Sequence, residues 1–394
     1  MNLKRADKKF LARESDAEDI QVVRTDGSVV YDARGRKYID FLAGWCVGNL
    51  GWGNDEIRGH IGRTAGPDYV NPSYLYRPWV ELAQLLAAIT PGKLQKTYRA
   101  TGGTEAVEIA LQVAMAYTGR RKFLSLEGSY HGNSIGTVSI GATEEHDPYP
   151  NLLSNCLKVS PPLDAKAADK VERILKRRDV AAFIMEPISM TLGVLIPDRD
   201  FMTRLQRMCR RYGTLLIADE VACGFGRTGT MFASEQFDLE PDILCMAKAL
   251  SGGYAPIGAT IITAKIANAV QKDVAFYSTY GWHPRSVDVA IASVRWMIRN
   301  RRKLFAHVSR VSDLFRRRLA EMKFEAPAKL RIRGMAIGVE TGDEDSVSDI
   351  VERCREAGLF VGSADNVLTI FPPLTVEEKT VNRALAILER AIAP

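Results

Sequence analysis

The stretch 243-ILCMAKALSGG-253 places a lysine between an apolar run and a Ser-Gly-Gly turn. The apolar run predicts a buried strand, and the glycines after it are typical of a turn. Lys248 therefore stands at the carboxyl end of a strand, with apolar neighbours on both sides. Removal from water makes an amine more nucleophilic, which is the usual activation of a lysine that forms a Schiff base. A side chain that faces solvent is the alternative for this lysine.

The residues around this stretch predict an α/β fold. Apolar runs without polar alternation, such as 180-VAAFIM-185 and 215-LLIAD-219, alternate with helical patterns such as 102–119 and 201–213. Strands that are apolar on both faces and alternate with helices predict a mainly parallel sheet between two layers of helices. We expect this three-layer α/β/α domain to span residues 51–285.

The remaining residues predict a smaller α+β domain. Helical patterns over 286–300 and around 303–322 are followed by short strands and two further helices. Strand-like runs with a hairpin signal precede the large domain. We expect residues 1–50 to pack with residues 286–394, which together form the small domain.

Composition indicates an ordinary globular protein. Of the 394 residues, 46% are hydrophobic and 25% are charged, and the formal net charge of +6 is too small to indicate nucleic-acid binding. The six cysteines form no C-x-x-C pair and have no zinc-ligand spacing with the histidines, so neither a metal site nor a disulfide framework is expected. The N-terminus lacks the apolar core of a signal peptide, and no run approaches the ~20 apolar residues of a membrane span. We therefore expect a cytoplasmic protein without a membrane partner.

Polar residues follow five of the predicted strands. In an open α/β sheet, ligands bind outside the carboxyl ends of the strands, so these residues define a candidate site. The five clusters are Thr101-Gly102-Gly103-Thr104-Glu105, Ser129-Tyr130-His131-Gly132, Glu186-Pro187, Asp219-Glu220 and Lys248.

Gly102 and Gly103 stand between a predicted strand and a helix. The N-terminus of a helix offers free N–H groups and a positive dipole end to a phosphate, and glycines let the backbone approach the anion. The spacing is neither G-x-x-x-x-G-K-[ST] nor G-x-G-x-x-G, which disfavours those two nucleotide sites. A plain tight turn is the alternative for this pair.

Asp219 ends an apolar strand, where an isolated carboxylate is costly unless it faces a cation. Its alternative role is to cap the turn that follows. One cofactor would explain Asp219, Lys248 and the two glycines together: an aldehyde that carries a phosphate and a protonated ring nitrogen. That cofactor is pyridoxal 5′-phosphate, which forms an imine with a lysine and pairs its ring nitrogen with an acidic residue.

The run 215-LLIADEVACGFGRTGTMFASEQFDLEPDILCMAKALSGG-253 resembles the signature of class III pyridoxal-phosphate-dependent aminotransferases, which have fold type I. The resemblance extends over nearly the whole chain, through FLAGWCVGNLGWGNDEI, TGGTEAVEIAL, GSYHGNSIGT, STYGWHP and IFPPL. It implies pyridoxal 5′-phosphate as the cofactor, small-molecule amine and keto-acid substrates, and a homodimer with shared active sites.

The resemblance also implies a role for each matching residue. Lys248 would carry the cofactor as an imine and move the substrate's proton, and Asp219 would pair with the ring nitrogen. Backbone groups of Gly102 and Gly103 would hold the cofactor's phosphate, and Tyr130 and Val221 would pack on the two faces of its ring. Glu186 stands where the family keeps a carboxylate near the cofactor, and Thr279 would reach the phosphate of the cofactor in the neighbouring subunit. For Glu186, a residue that merely ends its strand is the alternative.

Three residues depart from the ornithine-type members of this family. Thr369 stands where those members place an arginine for the α-carboxylate, Thr191 where they place its glutamate partner, and Asn133 where they place a second arginine. Because the arginine at position 369 and its glutamate partner at position 191 are both absent, neither is left as a buried charge without its partner. We therefore do not expect an ornithine, acetylornithine or 4-aminobutyrate aminotransferase, and we expect 2-oxoglutarate to be a poor acceptor.

Four further residues are candidates for contact with the substrate. Arg77 is a candidate for binding the carboxylate of the keto acid, although an exposed arginine is the commoner case. Trp45, Tyr76 and Trp282 fall in segments that line the pocket of the family, so they suggest a bulky or apolar amine. Aromatic packing at an interface is the alternative for these three.

The sequence therefore predicts an aminotransferase that moves an amino group from an amine, or from an ω- or β-amino acid, to a keto acid such as pyruvate by a ping-pong mechanism. An aminomutase or racemase on the same fold is the alternative, because the proton-transfer residues are shared. A protein that binds the cofactor without catalysis is disfavoured, because no fold requires Lys248, Asp219 and the glycine pair together.

Overall fold

The computed structural model describes residues 3–12, 17–61, 66–143, 148–274 and 276–393. The elements before the large sheet are α1 (Leu3–Phe10), β1 (Val22–Asp26), β2 (Val29–Asp32), β3 (Lys37–Asp40), the turn α2 (Ala43–Cys46), α3 (Asp55–Arg58) and α4 (Arg77–Ile89). Those of the large sheet and its covering helices are β4 (Leu94–Ala100), α5 (Gly103–Thr118), β5 (Lys122–Leu126), α6 (Ile135–Ser139), β6 (Cys156–Val159), α7 (Ala165–Leu175), β7 (Val180–Met185), α8 (Arg199–Tyr212), β8 (Leu215–Asp219), β9 (Ile243–Met246), β10 (Gly258–Thr263) and α9 (Ala264–Val270). The last elements are α10 (Pro284–Glu321), β11 (Lys329–Arg333), β12 (Ala336–Glu340), α11 (Glu344–Glu356), β13 (Leu359–Phe360), β14 (Gly362–Ala364), β15 (Val367–Ile370) and α12 (Glu378–Ala391).

The large sheet has seven strands in the order β4, β10, β9, β8, β7, β5 and β6. β10 runs antiparallel to both of its neighbours, and every other adjacent pair is parallel. The prediction of a mainly parallel sheet is therefore confirmed. Because β4 and β9 both oppose β10, the carboxyl ends of β4, β5, β7, β8 and β9 share one edge of the sheet.

Both faces of the large sheet are buried. Every residue of β7 and β8 is buried, which explains why these strands are apolar without alternation. Alternate residues of β7 face different layers: Phe183 and Met185 pack in the same cluster as residues of α7 and α8, whereas Ala182 and Ile184 pack with residues of α5. The three-layer α/β/α architecture is therefore confirmed.

Two smaller sheets lie outside the large one. β11, β12, β15 and β14 form an antiparallel sheet in that order. β1, β2 and β3 form another sheet, in which β13 adds as a parallel strand beside β3. An early strand of the chain thus pairs with a late one, and the grouping of residues 1–50 with residues 286–394 stays a prediction.

Helix α10 replaces the two helices that were expected over 286–300 and 303–322. It runs for 38 residues, because neither glycine nor proline follows Pro284 before its end and its buried side continues from Val287 to Leu319. The expectation of two helices was wrong.

Within the described ranges no helix, α10 included, combines the length and the apolar character needed to cross a bilayer.

Arg227 is buried where three parts of the chain meet. Its Nη1 donates to the carbonyls of Met335 at 3.0 Å and Pro372 at 2.6 Å, and its Nη2 donates to Oδ1 of Asn49 at 2.6 Å. Burial lowers the pKa of the Arg227 guanidinium. The hydrogen bonds offset part of the cost of burying this charge, and they tie the segment after β8 to the N-terminal segment and to the C-terminal strands.

Candidate active site

A cavity of about 410 Å³ lies at the carboxyl edge of the large sheet. Most of its lining comes from the ends of β4, β5, β7, β8 and β9 and from the segments that directly follow them, and Val47 adds to it from the segment after α2. Seven residues singled out from the sequence line it together: Gly102, Gly103, Tyr130, Glu186, Asp219, Val221 and Lys248. The strand ends therefore bring together residues that are up to about 150 positions apart in the chain.

Lys248 reaches the cavity through a strained turn at the end of β9. The four strand residues are buried, Ala247 then leaves the β region with φ −161° and ψ −138°, and Lys248 has a positive φ of 42°. A positive φ is costly for a residue other than glycine, and such strain is held at functional sites where the surroundings enforce it. The turn places the half-buried lysine side chain at the wall of the cavity rather than in solvent.

Asp219 is buried at the end of β8, and its two oxygens have different partners. Oδ1 accepts the backbone N–H of Val221 at 3.1 Å, and Oδ2 lies 2.7 Å from Nδ1 of His131. The contacts with Nδ1 of His131 and with the N–H of Val221 together hold this carboxyl group in place. Nε2 of His131 is buried and has no hydrogen-bond partner among the described residues. No role for His131 was predicted from the sequence, where its position beside Tyr130 in a strand-end cluster is the one signal that points to it.

Glu186 is buried at the end of β7 and does more than end that strand. It accepts hydrogen bonds from the hydroxyls of Ser189 at 2.8 Å and Thr191 at 2.7 Å, and from the backbone N–H of Met190 at 3.1 Å. Burial raises the pKa of Glu186, and the nearby charge of Asp219 raises it further, whereas the two hydroxyl donors oppose the rise. Thr191 therefore faces a buried carboxyl group, and both residues line the cavity.

The N-terminus of α5 opens into the cavity. Gly102 precedes this helix in an extended conformation and no side chain caps it, so the first N–H groups of the helix are available to an anion. A Cβ on Gly103 would lie 3.0 Å from Cγ1 of Val221, which shows how closely the turn packs on the cavity wall. A Cβ on Gly102 would meet no atom within 4 Å, and this open space at a helix N-terminus fits a phosphate.

These groups together fit pyridoxal 5′-phosphate. The helix N-terminus suits its phosphate, the carboxylate of Asp219 suits its ring nitrogen, and the amine of Lys248 suits its aldehyde. Tyr130 and Val221 line the same cavity and suit the faces of the ring. A nucleotide would use neither a buried carboxylate nor a strand-end lysine in this way.

Five other residues singled out from the sequence do not line this cavity: Trp45, Tyr76, Arg77, Thr279 and Trp282. Trp282 is 2% exposed and belongs to the core, because its ring is packed there and its Nε1 donates to the carbonyl of Gly258 at 2.8 Å. Tyr76 packs edge-on against Trp79. Arg77, Thr279 and Trp45 are exposed, and a role for them toward substrate or a second subunit stays a prediction.

Comparison with known proteins identifies the family to which this chain belongs. The family model for class-III aminotransferases matches residues 10–392. The chain is 31% identical to adenosylmethionine-8-amino-7-oxononanoate aminotransferase of Staphylococcus aureus (strain NCTC 8325 / PS 47), over 96% of this chain and 93% of that protein. It is 32% identical to acetylornithine aminotransferase of Methanosarcina mazei, over 98% of this chain and 95% of that protein.

Solved structures agree with this result. The omega transaminase from Pseudomonas jessenii in complex with PMP matches with a TM-score of 0.93 and 26% identity, over 99% of this chain and 97% of that chain. A transaminase from the marine bacterium Virgibacillus also matches with a TM-score of 0.93 and 26% identity, over 100% and 98% of the two chains. The chain belongs to the class III aminotransferase family, so it is an enzyme and its cofactor is pyridoxal 5′-phosphate.

The open space beside Gly102 allows a test of the phosphate turn that leaves the fold intact. Gly102→Ala adds a methyl group that meets no protein atom, and a φ of −171° suits any residue. The unfolding free energy of the apo-enzyme should therefore stay within about 0.5 kcal/mol of wild type. The methyl group would stand where the phosphate approaches, so affinity for pyridoxal 5′-phosphate should fall about tenfold or more, which is about 1.4 kcal/mol. Titration of apo-enzyme by tryptophan fluorescence measures this, and unchanged affinity would contradict the assignment.

Proposed function

We propose that this enzyme transfers the amino group of an amine, or of an ω- or β-amino acid, to pyruvate or a similar keto acid by a ping-pong mechanism. The observation that carries the choice of acceptor is the charge of the cavity. Within the part of the chain that the structure describes, Lys248 is the only lysine or arginine that lines it. A monocarboxylate acceptor therefore suits this cavity better than a dicarboxylate.

The residues of the cavity divide the chemistry among them. When bound, pyridoxal 5′-phosphate supplies an aldehyde that exchanges with the substrate amine and a ring that withdraws electrons from the adjacent carbon. Asp219, held by His131 and by the N–H of Val221, favours a protonated ring nitrogen. Nζ of Lys248 would take the proton from the substrate carbon as general base and would deliver it, as general acid, to the cofactor carbon that carried the aldehyde.

Thr191 and Thr369 support the proposal that a second carboxylate is disfavoured. The hydroxyl of Thr191 donates a hydrogen bond to the carboxyl group of Glu186. Thr369 is buried in β15, paired with Gly338 of β12 and Gly362 of β14, and its hydroxyl has no partner among the described residues. Thr369 lies outside the cavity, and Thr191, which lines it, brings no positive charge, so a second carboxylate beside Thr191 would lose water without gaining a cation.

The apolar part of the lining supports an amine with an apolar body as the donor. Val47, Ala255, Pro256 and Ile257 line the cavity beside the turn that carries Lys248. Alkyl or aryl groups gain about 25 cal/mol for each Å² that they bury against such walls. Diamines, β- and ω-amino acids and arylalkylamines form the panel of donors that would rank the candidates.

We also propose a cytoplasmic location. All six cysteines are free, and five of them are buried. Free thiols in this number are typical of proteins that fold in a reducing compartment. Fractionation of the source cells, followed by immunoblotting, would test the location.

Two copies of the chain are proposed to form a homodimer with shared active sites. Tyr69, Tyr74, Leu75, Tyr277 and Tyr280 are exposed, and the rings of Tyr69 and Tyr280 lie 6.4 Å apart. Large exposed apolar patches mark interaction surfaces. Thr279 stands in the same segment, exposed and outside the cavity of its own chain, as a residue that serves a second subunit would be.

The half-reaction tests the reaction class. With an amine donor alone, the wild-type enzyme should convert its bound cofactor to pyridoxamine phosphate and release a free carbonyl product, because the amino group stays behind until a keto acid arrives. Lys248→Ala should show no turnover, since it loses the group that moves the proton, and should lack the visible absorbance of wild-type enzyme, since no amine remains there to form the imine. Lys93→Ala, on an exposed lysine, is the control. An aminomutase or racemase would return an amine without a free carbonyl product, and that result would favour the alternative.

The choice of acceptor is tested with matched keto acids. With one donor held fixed, kcat/KM for pyruvate should exceed that for 2-oxoglutarate at least about tenfold, because the buried second carboxylate costs about 1.4 kcal/mol or more without a cation. Glyoxylate and oxaloacetate extend the comparison to other chain lengths. Turnover with 2-oxoglutarate that equals or exceeds that with pyruvate would refute the proposal.

The dimer is tested at Leu75. This side chain is 98% exposed in a single chain, so Leu75→Asp should leave the fold of one chain unchanged. If a second copy covers it, the charge becomes buried, and the dissociation constant of the dimer should rise at least about tenfold. Light scattering after size-exclusion chromatography measures the mass. Val22→Asp, on the exposed edge strand β1, is the control. A monomeric wild-type enzyme, or an unchanged dimer in the Leu75 variant, would count against this surface.

A further inference from the structure

The chain between β7 and α8 forms a hairpin over Ser189–Leu195. The backbones of its two end residues exchange hydrogen bonds of 3.0 Å and 2.9 Å. Thr191, on one side of this hairpin, lines the cavity and donates to Glu186. Leu192 and Gly193, at the tip, contact the sheet that contains β12 and β15 instead. The hairpin therefore links the active site to the small domain.

The small-domain sheet presents one row of residues to this tip. Arg331 of β11 is in register with Gly338 of β12, which is in register with Thr369 of β15. Directly paired residues share a face of a sheet, so Gly338 leaves a gap between two side chains. The carbonyl of Gly193 fills that gap, because a Cβ on Gly338 would lie 2.6 Å from this oxygen. The tip thus docks backbone to backbone.

Arg331 fastens the docked tip. Its Nη1 donates to the carbonyls of Leu192 and Gly193, each at 3.2 Å, and its Nη2 donates to Glu340. The side chain is 18% exposed, so these contacts are shielded from much of the competing water. The planar guanidinium serves three acceptors at once, which the single ammonium of a lysine would do with far less geometric control.

We infer that Arg331 is a positioning residue for the active site: it fixes the tip of the hairpin and, through Thr191, the carboxyl group of Glu186 beside Asp219. Arg331 itself lies outside the cavity. The inference rests on the proposed function only in so far as Glu186 and Asp219 border the cofactor, and its first test needs neither substrate nor cofactor.

The first test is hydrogen exchange of the apo-enzyme, followed by mass spectrometry. Arg331→Met keeps the apolar stem and removes every donor, so amide exchange in residues 189–195 should rise at least about tenfold. Arg331→Lys should raise it less, and Gly338→Ala should raise it by displacing the carbonyl of Gly193. Arg333→Met is the matched control, because Arg333 is exposed and, among the residues that the structure describes, donates to the carbonyl of its own neighbour Ile332 alone. If the amides of residues 189–195 exchange at the same rate in the Arg331→Met and Arg333→Met variants, the inference is wrong.

The second test separates positioning from general stability. Affinity of the apo-enzyme for pyridoxal 5′-phosphate should fall at least about threefold in Arg331→Met, but not further when Thr191→Val is already present, because Thr191 carries the effect. An equal fall in both backgrounds would mean that Arg331 acts by another route. Arg331→Lys provides the same comparison if the methionine variant does not fold. Failure of the enzyme to use pyruvate would overturn the proposed acceptor and leave both of these results standing.

Discussion

The buried guanidinium of Arg227 is the contact on which the rest of the structure depends. Its donors reach the carbonyls of Met335 and Pro372 and the side chain of Asn49, which belong to the C-terminal strands and to the N-terminal segment. A charge is tolerated in the core only when most of its donors are satisfied, so these segments have to meet at one point. The arginine therefore fixes how the small domain approaches the edge of the large sheet.

That approach is close enough to matter for the cavity. A Cβ on Gly334 would lie 2.4 Å from the backbone nitrogen of Gly229, and the N–H of Met335 donates to the carbonyl of Arg227 at 2.9 Å. Backbone packs against backbone both here and at the tip of the hairpin over Ser189–Leu195, where Gly193 meets Gly338. The strand ends of the large sheet supply most of the residues that line the cavity, and the sheet of β11, β12, β15 and β14 contacts the hairpin that carries Thr191.

Much of the site could be predicted from the sequence, because the residues that follow each apolar strand can be identified from short stretches of the chain. Lys248, Asp219 and Glu186 each directly follow an apolar strand, and parallel strands bring such ends to one edge. The contact between His131 and Asp219 could not be predicted, because it joins residues 88 positions apart and depends on the order of the strands. The core position of Trp282 could not be predicted either, because a tryptophan suits a pocket wall and a core equally well. Its place in the core depends on the carbonyl of Gly258, which accepts the hydrogen bond of its Nε1 and is distant in the sequence.

Family membership alone does not select a substrate, since two relatives of nearly equal identity carry the names of different substrates. The choice has to come from the few side chains that face the reacting groups. Thr191 leaves the cavity side of the hairpin neutral, whereas Arg331 and Glu340 place an ion pair on the side that faces β11 and β12. The charge that holds the hairpin is thereby kept apart from the substrate. Thr191 belongs to both sides, because it lines the cavity and donates to Glu186, so a substitution at Thr191 would change the wall and the position of that carboxyl group together.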